Sequence, residues 1–525
     1  MMSYWGLYFL VKVGLHHKGL IALNWWFNLA FALAVIWPMA SARWRGARLV
    51  LALPLAVALA YSESFLPTPE RVLSQMGALR GFSADYMLEL VQRIVKPTDL
   101  LVAAVVLFLY AVLAQRIRFS SLAVLAIFSV PAASVLQSAM APNPMAVAAL
   151  APAADPTGAS GGVAAVAADP DSQLKVFYQT EAQRKMALSA GGQTPPFDVI
   201  VLNVCSLGWD DMDFVGLRDH PLLQRFDVVF NQFNTAASYS GPGLIRLMHG
   251  TCGQLPQKAM YAGLDPQCYV FPSLEKIGYR TAGLMNHDGV FDKFGETVMQ
   301  TGGLAGKMED NRAAPVSMHS FDGTPIYSDH ALLSQWWTDR PSKGAQPVAL
   351  YYNTISLHDG NRVPGMTSRS SADTYKPRLT QLFADFDKFL SELESTDRPV
   401  VVMLIPEHGA SLRGDKLQIS GMREIPSPRV TLVPAAIKVV GPGFTRPASP
   451  LLVDKPTSFY GMFSLLNDLL GHPPYGASAP DLATRLAAIP PTTLVSENED
   501  VVVMGNQTQG FQIKSGNGAW LPYKQ

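Results

Sequence analysis

Two hydrophobic textures divide this chain near residue 140. Before that point the apolar residues form long, nearly unbroken stretches. Leu20 to Ala40 is apolar for about 21 residues, enough to cross the hydrocarbon core of a bilayer, with Trp25, Trp26 and Trp37 near its ends. Three more such stretches run from about Leu49 to Leu66, from Leu100 to Ala114 and from about Leu122 to Leu136. A shorter run, Tyr4 to Leu15, contains Lys12 and is either a fifth span or the start of a cleaved signal peptide. Several spans follow it and no basic region precedes it, which disfavours the signal peptide. Four or five spans are therefore expected. Between the second and third, Phe82 to Val91 has the spacing of an amphipathic helix, with Ser83 placed as its N-cap. Such a helix lies either on the membrane surface or packed on the bundle.

Beyond residue 140 the pattern changes. Residues 138–173 are rich in Ala, Pro and Gly, the composition of a linker, and Leu174 to Leu188 reads as one amphipathic helix. From Phe197 onward short continuous apolar runs alternate with helical periodicity. Asp198–Val204, Val348–Thr354, Pro399–Ile405 and Ala435–Val440 are rich in β-branched residues and have no polar face, as strands buried on both sides do. Tyr375 to Glu394 and Ser458 to Leu470 have the helical period. This alternation predicts an α/β domain with a central, mostly parallel sheet between helices. The expected organisation is a transmembrane helical bundle over 1–137, a linker with a short amphipathic helix over 138–195, and an α/β domain over 196–525.

Composition sharpens this division without changing it. Of the 525 residues, 49% are hydrophobic and only 16% charged, which is lean in charge for a soluble protein of this length. The net charge is zero and no basic stripe is visible, so nucleic acid is excluded as a partner. Arg43, Arg45 and Arg48 fall between the first two long spans, and Arg116 and Arg118 between the last two. By the positive-inside rule both loops are cytoplasmic, so everything after the last span lies outside. The three cysteines are Cys205, Cys252 and Cys268. One disulfide plus one special thiol is the simplest arithmetic, against three buried free cysteines.

In a parallel sheet, ligands bind at the carboxyl ends of the strands. Here those ends carry Cys205-Ser206, then Ser356-Leu357-His358-Asp359, then Glu407-His408-Gly409. A thiol, a carboxylate and two imidazoles are zinc ligand types. Glu407 and His408 can ligate together only because the chain leaves its strand there, since side chains alternate within a strand. Ser240 opens a Ser-Gly-Pro-Gly turn into a helical pattern reaching Met248. That position puts a hydroxyl beside free N–H groups and the positive end of a helix dipole, suited to an anionic phosphoryl group. It is also the position of an ordinary N-cap. His287, in Asn286-His287-Asp288-Gly289, is either near the site or a surface residue of an Asx-type turn.

These residues resemble the alkaline-phosphatase and sulfatase superfamily, and more closely one group within it. Asn203-Val204-Cys205-Ser206-Leu207, Ser238-Tyr239-Ser240-Gly241-Pro242-Gly243 and Pro406-Glu407-His408-Gly409 resemble the cellulose phosphoethanolamine transferases of bacterial cellulose operons, the BcsG type, as does Arg71-Val72-Leu73-Ser74-Gln75 in the outer loop. The resemblance implies that Ser240 is the nucleophile and that Cys205, Ser240, Glu407 and His408 hold zinc. Lipid-directed relatives mostly have Glu and Asp where this chain has Cys205 and Glu407. His358 and Arg423 are then placed near the phosphate, Tyr239 beside the substrate, and Cys252 with Cys268 in a periplasmic disulfide. A sulfatase would need an arginine where Leu244 stands.

The implied reaction takes phosphoethanolamine from phosphatidylethanolamine onto Ser240, then onto the glucose C6 hydroxyl of nascent cellulose. The implied setting is the bacterial inner membrane, beside subunits of the cellulose synthase complex, with the catalytic domain in the periplasm. Two alternatives share these residues: phosphoethanolamine or phosphoglycerol transfer to another envelope glycan or to lipid A, and a non-catalytic scaffold of a secretion complex.

Overall fold

Asp198–Val204 forms strand β1, and its alternate residues point into two different cores. The structure is a computed structural model and describes residues 5–18, 20–39, 41–64, 82–94, 97–114, 116–140, 169–192, 195–368, 370–506, 509–516 and 518–524. Most of the expected linker, and the motif at 71–75, lie outside the described residues. The chain divides into two units, 1–66 with 95–173, and 67–94 with 174–525.

The second unit is built on a seven-stranded sheet. In chain order its strands are β1, β2 (Val228–Asn234), β3 (Arg280–Met285), β6 (Val348–Thr354), β7 (Val400–Pro406), β8 (Leu432–Val440) and β9 (Leu451–Val453). A two-stranded ribbon, β4 (Val316–His319) with β5 (Pro325–Tyr327), is inserted between β3 and β6. The sheet order is β3-β6-β1-β7-β8-β2-β9. β3, β6, β1 and β7 are mutually parallel, whereas β8 runs antiparallel to both β7 and β2. The mostly parallel sheet expected from the sequence is thus present, with one reversed strand.

Period-two alternation explains why these runs lack a polar face. Val199, Val201, Met403 and Ile405 join one core, where Leu244 and Leu247 of the helix Ser240–Met248 pack. Ile200, Leu202, Val402 and Leu404 join the other. The helix Ser371–Glu394 covers that second face with Tyr375, Leu379, Leu382, Phe386 and Phe389, a helical apolar stripe. At the start of β1, buried Asp198 accepts two hydrogen bonds from Arg340 at 2.9 and 3.0 Å, and it also pairs with Arg398. A buried carboxylate needs such partners. The chain ends in a four-stranded antiparallel sheet, β10 (Leu494–Asn498), β11 (Val501–Asn506), β12 (Gly510–Ser515) and β13 (Leu521–Tyr523). Cys252 and Cys268 form a disulfide, leaving Cys205 as the free thiol.

Two local expectations change. The helix expected over 174–188 runs instead over Pro170–Ala182, and Lys185 forms a bridge with Cys252. The amphipathic helix between the apolar stretches, Ala84–Ile94, belongs to the α/β unit rather than to a membrane surface or the bundle. Its polar face carries Glu89 and Arg93, which pair with Arg362 and Asp359 of that unit.

The first unit consists of helices: Trp5–His17, Trp25–Ile36, Ala42–Ser62, Pro97–Leu113 and Phe119–Met140. Among the described residues one helical segment, Arg43–Ser62, is long and apolar enough to cross a membrane; Trp25–Ile36, Leu100–Leu113 and Phe119–Ala132 are shorter apolar segments. Phe9, Phe31, Ala32 and Ile127 form the interior of this unit, while Val50, Leu51, Val57, Leu101 and Phe108 are exposed. Lys12, the charge inside the first run, is buried and paired with Glu63 at 2.7 Å and with Asn28 Oδ1 at 2.7 Å.

Candidate active site

Register brings the chemistry together. Val204 of β1 lies opposite Thr354 of β6 and Pro406 of β7, so the three strands end at the same level. The next residues on either side continue the ladder: Cys205 N–H donates to Thr354 O at 3.0 Å, and Glu407 N–H donates to Val204 O at 2.9 Å. Cys205, Glu407 and His408 are therefore the first residues beyond the sheet edge, and all three are buried.

The fourth group comes from a helix. Ser240 is the first residue of the helix Ser240–Met248, after Tyr239 in the cap position, and Tyr239 makes no side-chain capping bond. Ser240 is thus not an N-cap. Its hydroxyl instead lies 3.4 Å from Cys205 Sγ and 3.1 Å from His408 Nε2. Gly243 permits this approach: a β-carbon there would sit 3.1 Å from Glu407 O and 3.4 Å from Glu407 Cβ. Half-buried Ser240 faces a fully buried trio, as a nucleophile with an accessible hydroxyl requires.

The donor set can hold a metal ion. The candidate ligand atoms of Cys205, Glu407 and His408 lie within 4.8 Å of one another. His408 Nδ1 lies 2.9 Å from Gly409 O and donates to it, which leaves the Nε2 lone pair for a ligand. Glu407 Oε1 accepts from Asn353 at 2.6 Å, whereas Oε2 is buried without a hydrogen-bond partner. An orphaned buried carboxylate oxygen, a thiol, an imidazole and a hydroxyl fit the tetrahedral preferences of zinc. Electrostatics agree. Burial, then the nearby Glu407 carboxylate, pushes the Cys205 thiol up to about 12. Burial raises Glu407 to about 7 and holds His408 well below its ordinary value. Two acidic groups and a neutral imidazole are forced together in a dry site, and the Arg423 charge nearby offsets the burial of the acids only in part, an environment suited to a divalent cation.

The other expected residues surround this centre. Arg423 Nη1 lies 3.1 Å from His408 Nδ1 and donates to Ser206 Oγ at 3.2 Å, and its buried Nε has no hydrogen-bond partner. Ser206 has φ 62°, a strained conformation for a residue other than glycine, at the turn directly after Cys205. Tyr239 does not present its hydroxyl to the nucleophile: it donates to Glu424 at 2.6 Å, and its ring lies 5.1 Å from the Arg423 guanidinium. His358 Nδ1 donates to Asp359 O at 2.8 Å, leaving Nε2 with the lone pair. Burial, and then the Arg423 charge, lowers His358 to about 4, so it is neutral at physiological pH.

Three neighbours carried weaker signals or none. His287 is buried, not a surface turn residue; Gly289 N–H donates to its Nδ1 at 3.2 Å, so its Nε2 donates to Asn353 Oδ1 at 2.9 Å. Asn353 passes that order on, donating to Glu407 and to Asn203 Oδ1 at 2.8 Å. Its position inside an apolar strand was the available clue, since a buried amide in a core strand needs partners. Asp211 is buried and accepts from Ala410 N at 2.6 Å and Leu412 N at 2.9 Å, fixing the loop after His408. Nothing in its local sequence signals that. Asn353→Ala frees Glu407 to rotate, and metal affinity is expected to fall by about 10- to 100-fold with the fold intact. Titration with a zinc-competing chelator measures it.

The chain matches two family models: "Cellulose biosynthesis protein BcsG C-terminal domain" over residues 158–520, and the corresponding N-terminal domain over 5–132. It is 34% identical to cellulose biosynthesis protein BcsG of Escherichia coli strain K12, over all of this chain and 96% of that protein. Identity to the BcsG of Salmonella typhimurium strain LT2 is 33%, with the same coverage. Among solved structures it is similar to the integral membrane protein lipooligosaccharide phosphoethanolamine transferase A of Neisseria meningitidis. That likeness is 13% identical, covers 88% of this chain and 92% of that one, and has a TM-score of 0.44.

Proposed function

The chain belongs to the BcsG family of cellulose biosynthesis proteins, and from that premise we propose that it moves phosphoethanolamine from phosphatidylethanolamine to nascent cellulose through Ser240. The observation that carries this reading is the Ser240 hydroxyl at a helix start, within 3.4 Å of both Cys205 Sγ and His408 Nε2. Cys205, Ser240, Glu407 and His408 would hold one zinc ion, which when bound lowers the pKa of a coordinated hydroxyl and polarises a phosphate oxygen.

Ser240 Oγ attacks the phosphorus of the lipid. The Oγ–P bond forms as the P–O bond to glycerol breaks, the Ser240 hydroxyl proton passes by way of His358 Nε2 to the departing glycerol oxygen, and diacylglycerol leaves as the neutral alcohol. Arg423 directs its unpaired Nε–H at a phosphate oxygen, held for the task by Ser206 and by the ring of Tyr239. The first-turn amides add the positive end of the helix dipole, which favours the phosphoryl group at Ser240. In the second half, a glucose C6 hydroxyl attacks that phosphorus and Ser240 departs. Neutral His358, with its Nδ1 committed to Asp359 O, takes the acceptor proton on Nε2 and returns it to the departing Ser240 Oγ. Positioning and charge neutralisation supply most of the rate in such transfers.

The setting follows the same reading. Residues 1–137 form a bundle of four or five spans in the inner membrane, 138–195 connect it, and 196–525 work in the periplasm beside the cellulose synthase complex. The exposed apolar side chains of the helices Ala42–Ser62 and Pro97–Leu113 support this, because such large apolar surfaces mark a membrane or partner.

The test uses full-length protein in micelles containing phosphatidylethanolamine labelled in its ethanolamine, with soluble β-1,4-glucan and lipid A offered together. Label is expected on the glucan, in a form that an endoglucanase releases. Label on lipid A alone would assign a different acceptor. A well-folded protein that binds no zinc and labels neither leaves a scaffold as the better account.

A further inference from the structure

We propose that the helix Ala84–Ile94 is a positioning element of the transferase site, with Arg93 holding the two loops that carry His358 and Arg423. It lies in sequence between two apolar helices and inside the span matched by the N-terminal family model, yet it packs in the α/β unit.

Its contacts converge on one place. Arg93 donates from both terminal nitrogens to the two oxygens of Asp359, each at 2.9 Å, and Asp359 directly follows His358. Tyr86 OH donates to the same carboxylate at 3.0 Å. One turn from Arg93, Glu89 pairs with it and also accepts from Arg362 at 3.0 Å and from Ser371 N at 2.9 Å. A carboxylate that receives a bidentate guanidinium is held in orientation as well as in place. Here that fixes the peptide whose carbonyl accepts the His358 Nδ1 proton.

The same guanidinium reaches the second loop. Gly421, at φ +82°, lies two residues before Arg423, and a β-carbon there would come within 2.6 Å of Arg93 Nη1. Aromatic packing makes a further tie. Phe82 packs edge-to-face on Phe321 at 5.0 Å, Tyr86 lies tilted against it at 5.6 Å, and Phe321 lies 5.4 Å from the His358 ring. Ser83 N–H donates to Phe321 O at 3.2 Å. None of these helix residues contacts the four candidate metal ligands directly, so the helix acts on the metal centre only through the loops that carry His358 and Arg423.

This inference rests on the proposed transferase reading for its kinetic arm only. Full-length protein in micelles is compared as wild type, Arg93→Ala and Arg93→Lys. Hydrogen–deuterium exchange reads the loops 355–362 and 411–424, and turnover is measured with labelled phosphatidylethanolamine. In Arg93→Ala both loops are expected to exchange faster, while strands β1 and β7 stay protected. kcat is expected to fall by about 10- to 100-fold, with zinc content and KM for the lipid unchanged. Arg93→Lys, which keeps the charge but loses the two-pronged geometry, should recover only part of the loss. Wild-type exchange in both loops with unchanged kcat would overturn the proposal, as would loss of protection spread over the whole sheet. A wild type that transfers nothing would sink the transferase reading, and the exchange result would still decide the docking.

Discussion

Ser240→Ala gives a protein that folds and binds metal but transfers no phosphoethanolamine. The expected loss in kcat is about 10³- to 10⁶-fold, the scale seen when a nucleophile is removed from a catalytic unit that keeps its other parts. The size of the effect rests on the hydroxyl having no other duty. Tyr239, not Ser240, occupies the helix cap, and the Ser240 side chain makes its contacts within the candidate metal site, with Cys205, His408 and Glu407. Stability should therefore change by less than about 1 kcal/mol. Three candidate ligands remain, so zinc persists with reduced affinity. Thermal melting, metal analysis and label transfer on the same preparation separate these effects. A Ser240→Ala protein retaining a tenth of wild-type turnover would assign the nucleophile elsewhere.

Cys205→Ala has the second large effect, and it acts on the metal. The thiol is buried at the end of β1 with Ser206, Ser240 and His408 around it. Removing it leaves the other three groups with no sulfur donor and an uncovered position. Zinc affinity is expected to fall by more than about 100-fold, a larger loss than an outer hydrogen-bonding partner causes. The binding free energy is also a folding free energy. At a zinc concentration a thousand times Kd, wild type gains about 4 kcal/mol from the ion. At the same zinc concentration a variant 100-fold weaker keeps about 1.4 kcal/mol of that shift, and a weaker one less, when its chemical unfolding is compared with and without zinc. An equal zinc-dependent shift in both proteins would remove Cys205 from the ligand set.

The sequence made the centre legible because its residues sit at the ends of apolar runs. β1, β6 and β7 are buried on both faces, so their composition marks them, and the first polar residues beyond them point to the candidate site. β2 and β3 were not visible in the same way. Asn231, Gln232 and Asn234 interrupt the first, and Gly283 weakens the second, where Met308 packs against the backbone. The reversed direction of β8 depends on pairing between distant segments, which periodicity does not report. Asp211 was equally hidden, because its partners are backbone amides about 200 positions away. The helix Ala84–Ile94 was read correctly as amphipathic, but its partner was not. Its apolar and charged faces suit a membrane surface as well as a protein, and only the three-dimensional pairing of Arg93 with Asp359 tells them apart. In the first unit, the helices fall where the apolar runs predicted them, but most are shorter than a full span.

The most direct test of the account is to find the group on the nucleophile. Full-length wild-type protein would be mixed with phosphatidylethanolamine, without acceptor, quenched in acid, digested and mapped by tandem mass spectrometry. One phosphoethanolamine is expected on Ser240, removed when β-1,4-glucan is added before quenching. Phosphoethanolamine on any other residue, or transfer to glucan with Ser240 never modified, would contradict it.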